Sequence, residues 1–314
     1  MKAFCYGVDI GGTFIKVGLF NDQGDLQSKW QFKTRKTKDD LKIIKDVADF
    51  IIQKNKELDI TMEDVLGIGV GIPGAVLDNG EVLQMHNLGT GYFNLVEELH
   101  KLTGCMVKAA NDANLAALGE FSSRKAKGYK SMVLVTLGTG VGGGIIINGS
   151  ILTGGKGAAG EIGHILVNSD EREVCGCGKK GCLEQYASAT GIVRMASRRL
   201  QESSEASILR TIKELTAKDV LDSAKAGDAL AMEVVTKASE YLGIGLSHVA
   251  QTVNPEVFVI GGGVSKAGPI LTDMVEEFFK QYVMDDVKDT IFELAVLGND
   301  AGIYGGANLI LNAK

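Results

Sequence analysis

The sequence predicts an α/β protein made of two duplicated halves, and three observations predict it. A strand, a Gly-rich turn and a second strand occur twice, as FCYGVDIGGTFIKVGLF and as SMVLVTLGTGVGGGIII. Each copy leads through helix to a further strand that ends in glycine, VLGIGVGIPG after the first and EVFVIGGGVSKAG after the second. Glycine makes up 41 of 314 residues, about twice the usual share, with only three prolines and no low-complexity tract. Glycines at the ends of apolar runs suggest backbone brought close to a ligand, and two facing halves place that ligand in the cleft between them.

The elements follow in order. FCYGVDI and FIKVGLF flank a Gly-Gly turn, and LQSKWQFKT continues them as a third strand. In DDLKIIKDVADFIIQKNK, Leu41, Ile44, Val47, Ala48, Ile51 and Ile52 recur at helical spacing. NLVEELHKLTG is a helix stopped by Gly104. CMVKAAND is a strand, and ANLAALGEFSSRK opens a helix. In the second half, AMEVVTKASEYLGIGLSHVAQTV is a long helix with an apolar stripe. QESSEASILRTIKELTAKDV is expected to be a surface excursion with a short helix and a solvated face. The boundary between halves falls near the helix Ala113 to Lys125.

The formal charge of -6 offers no cationic footprint for nucleic acid or an anionic membrane. The start, MKAFCYGVDIGG, has neither the pattern of a signal peptide nor that of a membrane span, so a cytoplasmic protein is expected. In a reducing compartment, three of five cysteines gathered as Cys175, Cys177 and Cys182 argue for metal ligation before disulfides. Cys5 and Cys105 lie in apolar runs and are expected in the core.

Five motifs carry chemistry. In VDIGGT, Asp9 ends a strand before Gly11, Gly12 and Thr13, so backbone N–H groups and a hydroxyl can face phosphate oxygens while the carboxylate holds magnesium through water. LGTGVGGG repeats this with Gly138, Thr139 and Gly140. A dinucleotide fold would need GxGxxG running into a helix, whereas strands follow both turns here. Gly261, Gly262 and Gly263 could let an adenosine lie against backbone. Asn111 and Asp112 close a strand before a helix; Asp112 is either the helix cap or a base aimed at a hydroxyl proton. His164 with Cys175, Cys177 and Cys182 makes a closed Cys3His set suited to structural zinc, and a redox CxC would leave the histidine unexplained. Glu161 and Glu184 flank that set.

Taken together, DIGGT, GIPG, NDAN, LGTGVGGG, GEIGH, CGCGKKGCLE and GGGVS stand in order over nearly the whole chain and resemble the ROK family of sugar kinases and repressors. The family lies within the actin/hexokinase/Hsp70-like superfamily. The resemblance implies two duplicated actin-like (ribonuclease H-like) α/β domains with a zinc-bound loop. Residues 1–118 would form the first, with helix 302–314 packed back on it, and residues 119–301 the second. It implies ATP phosphate contacts from Asp9, Gly11, Gly12, Thr13, Gly138, Thr139 and Gly140, and Asp112 as general base. Sugar contacts would come from Asn87, Asn111, Asp112, Glu161, His164 and Glu184.

ROK repressors carry a helix-turn-helix domain before the first phosphate motif, and only eight residues precede Asp9 here. The expectation is therefore an ATP-, Mg2+- and zinc-containing sugar kinase of glucokinase type, acting as a homodimer on the 6-hydroxyl of glucose. The alternatives are a ROK kinase for mannose, allose, fructose, N-acetylglucosamine or N-acetylmannosamine, and a non-catalytic sugar sensor. Ala75, after GIPG, stands where family members that take N-acetylated amino sugars tend to have a basic residue, which favours an unmodified hexose.

Overall fold

The computed structural model describes residues 3–35, 37, 39–77, 79–84 and 93–313. The chain begins with strands β1 (Phe4–Ile10), β2 (Phe14–Asn21) and β3 (Leu26–Lys33), then helix α1 (Asp40–Glu57) and β4 (Val65–Ile72). Three short strands follow, β5 (Ala75–Val76), β6 (Glu81–Gln84) and β7 (Phe93–Asn94), and then α2 (Leu95–Thr103), β8 (Met106–Asn111) and α3 (Asp112–Ser122). The first sheet runs β3-β2-β1-β4-β8. Its first three strands pair antiparallel, and β4 and β8 join parallel to β1.

Alternation along β1 sorts its side chains between two layers. Tyr6, Val8 and Ile10 join Ile44, Val47 and Ile51 of α1 in one core. Cys5 faces the other way, with Phe20, Ile303, Ala307 and Ile310. Cys105 is likewise buried, as its apolar surroundings led us to expect.

The second half repeats the pattern. It contains β9 (Ser131–Leu137), β10 (Val141–Ile147), β11 (Ser150–Ile151), α4 (Glu184–Ala187), α5 (Ala189–Glu202) and α6 (Ala217–Lys225). It continues with α7 (Ala229–Val253), β12 (Val257–Gly261), α8 (Pro269–Tyr282) and β13 (Ile291–Leu294), before the closing helix α9 (Ala301–Leu311). Its sheet runs β11-β10-β9-β12-β13, the same sequence of hairpin neighbours followed by crossover neighbours as in the first sheet. The duplication read from the sequence is thus a duplication of topology.

Helix α9 belongs to the first unit and explains part of the glycine excess. A Cβ on Gly7 would lie 1.8 Å from the carbonyl oxygen of Ile303, and one on Gly69 would lie 2.0 Å from that of Gly306. Backbone packs on backbone there, so these glycines serve helix–sheet contact and not a ligand.

The chain divides into one compact unit of Met1–Tyr129, Gly144–Gly160 and Val296–Lys314 and another of Lys130–Gly143 and Glu161–Ala295. The reason is local packing: α3 packs on α9, and a Cβ on Gly144 would come within 2.5 Å of that of Ala117. Glu120, 1% exposed, adds to this by accepting from the amides of Val296 (3.1 Å) and Leu297 (2.8 Å) while pairing with buried Arg124. The stretch 201–220 is the expected surface excursion: most of its residues are exposed, with a short helical turn at Ile208–Thr211 and only Leu209, Ala217 and Val220 buried. It leads into α6, which starts at a capping box between Thr216 and Asp219 and packs on α7.

Candidate active site

The first Gly-rich turn links β1 to β2. The amide of Gly11 donates to the carbonyl of Phe14 (3.1 Å), and Thr34 at the end of β3 braces the turn by donating its hydroxyl to Gly11 (2.6 Å). Gly12 and Thr13 are left exposed. Asp9 stands at the foot of the turn, where burial raises its carboxyl and Lys16 partly offsets that rise. Lys16 lies 3.4 Å from the Asp9 carboxylate and donates to the carbonyl of Asn299 (2.7 Å). Sequence reasoning passed over Lys16. The signal was present, because a two-sided hairpin around Gly11–Thr13 pairs Asp9 with Lys16 in register.

The end of β8 resolves the question of which residue caps α3. The side-chain oxygen of Asn111 accepts from the amides of Ala113 (2.9 Å) and Asn114 (3.2 Å), so Asn111 is the cap. Asp112 is the first helical residue and its carboxylate accepts from the neighbouring Ala113 amide at 2.9 Å. The Asn111 carboxamide also donates to the carbonyl of Gly74 in the GIPG turn (3.0 Å). With both lone pairs and one N–H committed, Asn111 has a single N–H left for any ligand. Asn87 lies outside the described residues.

In the second unit, the Gly138–Gly140 turn joins β9 to β10, and the carbonyls of Gly138 and Thr139 are held by the Ala189 amide (2.8 Å) and the Thr190 hydroxyl (2.9 Å) at the start of α5. A cavity of about 320 Å³ opens next to Ala189, walled by Gly263 and Val264 on one side and Thr216, Ala217 and Leu221 on the other. Its apolar walls and size suit a flat aromatic base. Of the three glycines after β12, only Gly263 lines it. Gly261 is buried beneath Ala295, and Gly262, at φ +88°, packs against the Leu137 carbonyl.

The metal ligands converge as the spacing predicts: one ligand atom from each of His164, Cys175, Cys177 and Cys182 lies within 4.8 Å of the others. Cys177 Sγ and Cys182 Sγ are 3.5 Å apart, and Cys175 Sγ is 3.8 Å from His164 Nδ1. Tetrahedral zinc with Zn–S bonds of about 2.3 Å places its ligands roughly 3.5–3.8 Å apart, so these two separations are compatible with that ion. Nε2 of His164 is 4.0 Å from the Glu161 carboxylate. Glu184 is placed differently from Glu161: its Oε2 accepts from the amide of Val141 at 3.0 Å, and its Oε1 lies 3.8 Å from Cys175 Sγ.

An acidic residue at the base of the metal loop anchors it to α5. Glu171, buried, receives Arg194 (3.1 Å), Arg198 (3.1 Å) and the Tyr186 hydroxyl (2.8 Å). Against the burial that would raise it, hydrogen bonds from Arg198, the Glu173 amide and Tyr186, with the Arg194 charge, hold the Glu171 carboxyl down to about 2. A depressed carboxylate stabilises the fold above its ordinary value and loses that contribution as pH falls toward the depressed one. Glu171→Gln is therefore expected to be less stable than the unaltered protein by about 2–3 kcal/mol at pH 7. The gap should close between about pH 5 and pH 2. Urea unfolding at pH 7, 5 and 3 checks this, and a gap that stays constant with pH counts against it.

The model of the ROK family matches residues 5–313. The chain is 43% identical to a glucokinase of Halalkalibacterium halodurans, over 97% of this chain and 94% of that one. It is 34% identical to a glucokinase of Thermotoga maritima, over 97% and 96%. Among solved structures it resembles a ROK family glucokinase from Streptomyces griseus in complex with glucose and AMPPNP, at 32% identity and a TM-score of 0.76, covering 98% of each chain. With the two Gly-rich hairpins, the NDAN turn and the His/Cys cluster in the order that the resemblance implied, the chain belongs to the ROK family.

Proposed function

We propose that the protein is an ATP- and Mg2+-dependent glucokinase that phosphorylates the 6-hydroxyl of glucose. The observation that carries this reading is 43% identity to a glucokinase along 97% of the chain, with a carboxylate, Asp112, at the start of α3. In this reading the turns Gly11–Thr13 and Gly138–Gly140 hold the triphosphate, and the cavity beside Gly263 takes the adenosine. Magnesium supplies charge neutralisation on the phosphates, with Asp9 as its protein partner. Asp112 accepts the proton of the 6-hydroxyl as its oxygen bonds to the γ-phosphorus; the bond to the bridging oxygen breaks, and ADP leaves with that oxygen.

Asn111, Asp112, Glu161, His164 and Glu184 are the proposed sugar contacts within the described residues. Asn111 contributes one donor, and its bond to Gly74 fixes that donor relative to the GIPG turn. Zinc on His164 Nδ1 leaves Nε2 facing Glu161, so the metal would orient an imidazole that also meets a hydroxyl. Four protein ligands would leave no open position on the ion, which would give it a structural role. Among the described residues no helix is long and apolar enough to cross a membrane. We place the enzyme in the cytoplasm as a homodimer.

The sugar is the finer part of the proposal. Ala75 follows the GIPG turn in β5 and offers no cation to an N-acetyl group, which favours an unmodified hexose. The test is ADP formation from MgATP with glucose, mannose, allose, fructose, N-acetylglucosamine and N-acetylmannosamine. Glucose is expected to give the highest kcat/KM. A different best sugar would replace glucose in the proposal, and binding of ATP and sugar without turnover would replace catalysis with sensing.

A further inference from the structure

Val141, the first residue of β10, is gripped at both of its backbone polar groups by residues that flank metal ligands. Its amide donates to Glu184 Oε2 at 3.0 Å. Its carbonyl lies so close to Gly163, the residue before His164, that a Cβ there would be 2.2 Å from the oxygen. Glu184 also fills the space beside Gly140, where a Cβ would meet its carboxylate oxygen at 2.1 Å. The other oxygen of the same carboxylate is 3.8 Å from Cys175 Sγ. One side chain therefore touches both the metal loop and the turn Gly138–Gly140.

We propose that Glu184 is a positioning residue that couples the metal cluster to the phosphate-binding hairpin, so that zinc and nucleotide bind cooperatively even with no sugar present. The proposal rests on the nucleotide reading given above. Its physical basis is order: three thiolates and an imidazole gathered on one ion would fix the segment that carries Glu184 and Gly163, and these in turn hold Val141 and the Gly138–Gly140 turn ahead of it. A hairpin already held has less entropy to lose when phosphate oxygens dock. Coupling is reciprocal, so nucleotide must tighten zinc by the same factor that zinc tightens nucleotide.

The experiment is a chelator titration of the zinc-loaded protein, without sugar, in the absence and presence of saturating Mg–AMPPNP. In the unaltered protein, zinc affinity is expected to rise about 5–10-fold with nucleotide. In Glu184→Ala the ratio should fall to about 1, while Glu184→Gln, which keeps an acceptor oxygen for the Val141 amide, should retain part of it. A ratio of 1 in the unaltered protein with AMPPNP demonstrably bound would overturn the coupling and leave the kinase reading intact, as would an undiminished ratio in Glu184→Ala. Failure of the zinc-loaded protein to bind AMPPNP would instead overturn the nucleotide reading and the coupling with it. Because the first comparison uses the unaltered chain, the result does not depend on either variant folding.

Discussion

Replacing Asp112 with asparagine is expected to lower kcat by about 100-fold or more while leaving the affinity for AMPPNP nearly unchanged. Asparagine keeps the size and position of the side chain and cannot take a proton. The substitution is cleaner here than in most helix starts, because Asn111 and not Asp112 caps α3. Losing a cap would cost about 1 kcal/mol and blur the result, whereas the Asn111 bonds to Ala113 and Asn114 survive in Asp112→Asn. Steady-state kinetics with glucose, together with a calorimetric AMPPNP titration and a melting curve, separate the outcomes. Substantial turnover in a normally folded variant would remove Asp112 from the role of base.

Replacing Cys182 with serine is expected to abolish stoichiometric zinc and loosen residues 174–183. Cys182 is 1% exposed and bridges to Leu166, so a zinc ligand at this position would also be the link between the two sides of the loop. Without the ion, burial pushes its thiol up to about 12, so the thiolate form depends on a neighbouring cation. Zinc bound to three thiolates and an imidazole contributes on the order of 10 kcal/mol of local folding free energy. The loss should stop at the Glu171 network, since Arg194 and Arg198 tie that side chain to α5 without any metal. Elemental analysis should give one zinc per unaltered chain, and hydrogen exchange should show faster exchange confined to the loop. Cys105→Ser, altering a buried thiol outside the cluster, should keep its zinc. Unaltered protein without zinc, or Cys182→Ser with it, would refute the assignment.

Much of the candidate site was legible because its information is local. The DIGGT and LGTG turns declare themselves by glycines between β-branched runs. The four metal ligands fall within nineteen residues, His164 to Cys182, at separations that one loop can close. Duplication was legible for a similar reason: two copies of one strand-turn-strand pattern each build the same sheet order. Local information also has a limit. ND before an Ala/Leu run fits a cap at either residue, and only the backbone placed Asn111 in the capping position.

The sequence by itself determined the hairpins, the His/Cys cluster, the carboxylate at the start of α3 and the α/β class, since each depends on spacing within a few residues or on the alternation of one strand. The tertiary structure alone decided which glycines meet backbone and what holds the Gly-rich turns. Gly7 and Gly69 are set by a helix more than 230 residues later, and the Glu184 carboxylate reaches an amide 43 residues earlier. Such pairs leave no periodic trace, because the partner's distance along the chain is fixed by how whole elements pack and not by any repeat the residues carry.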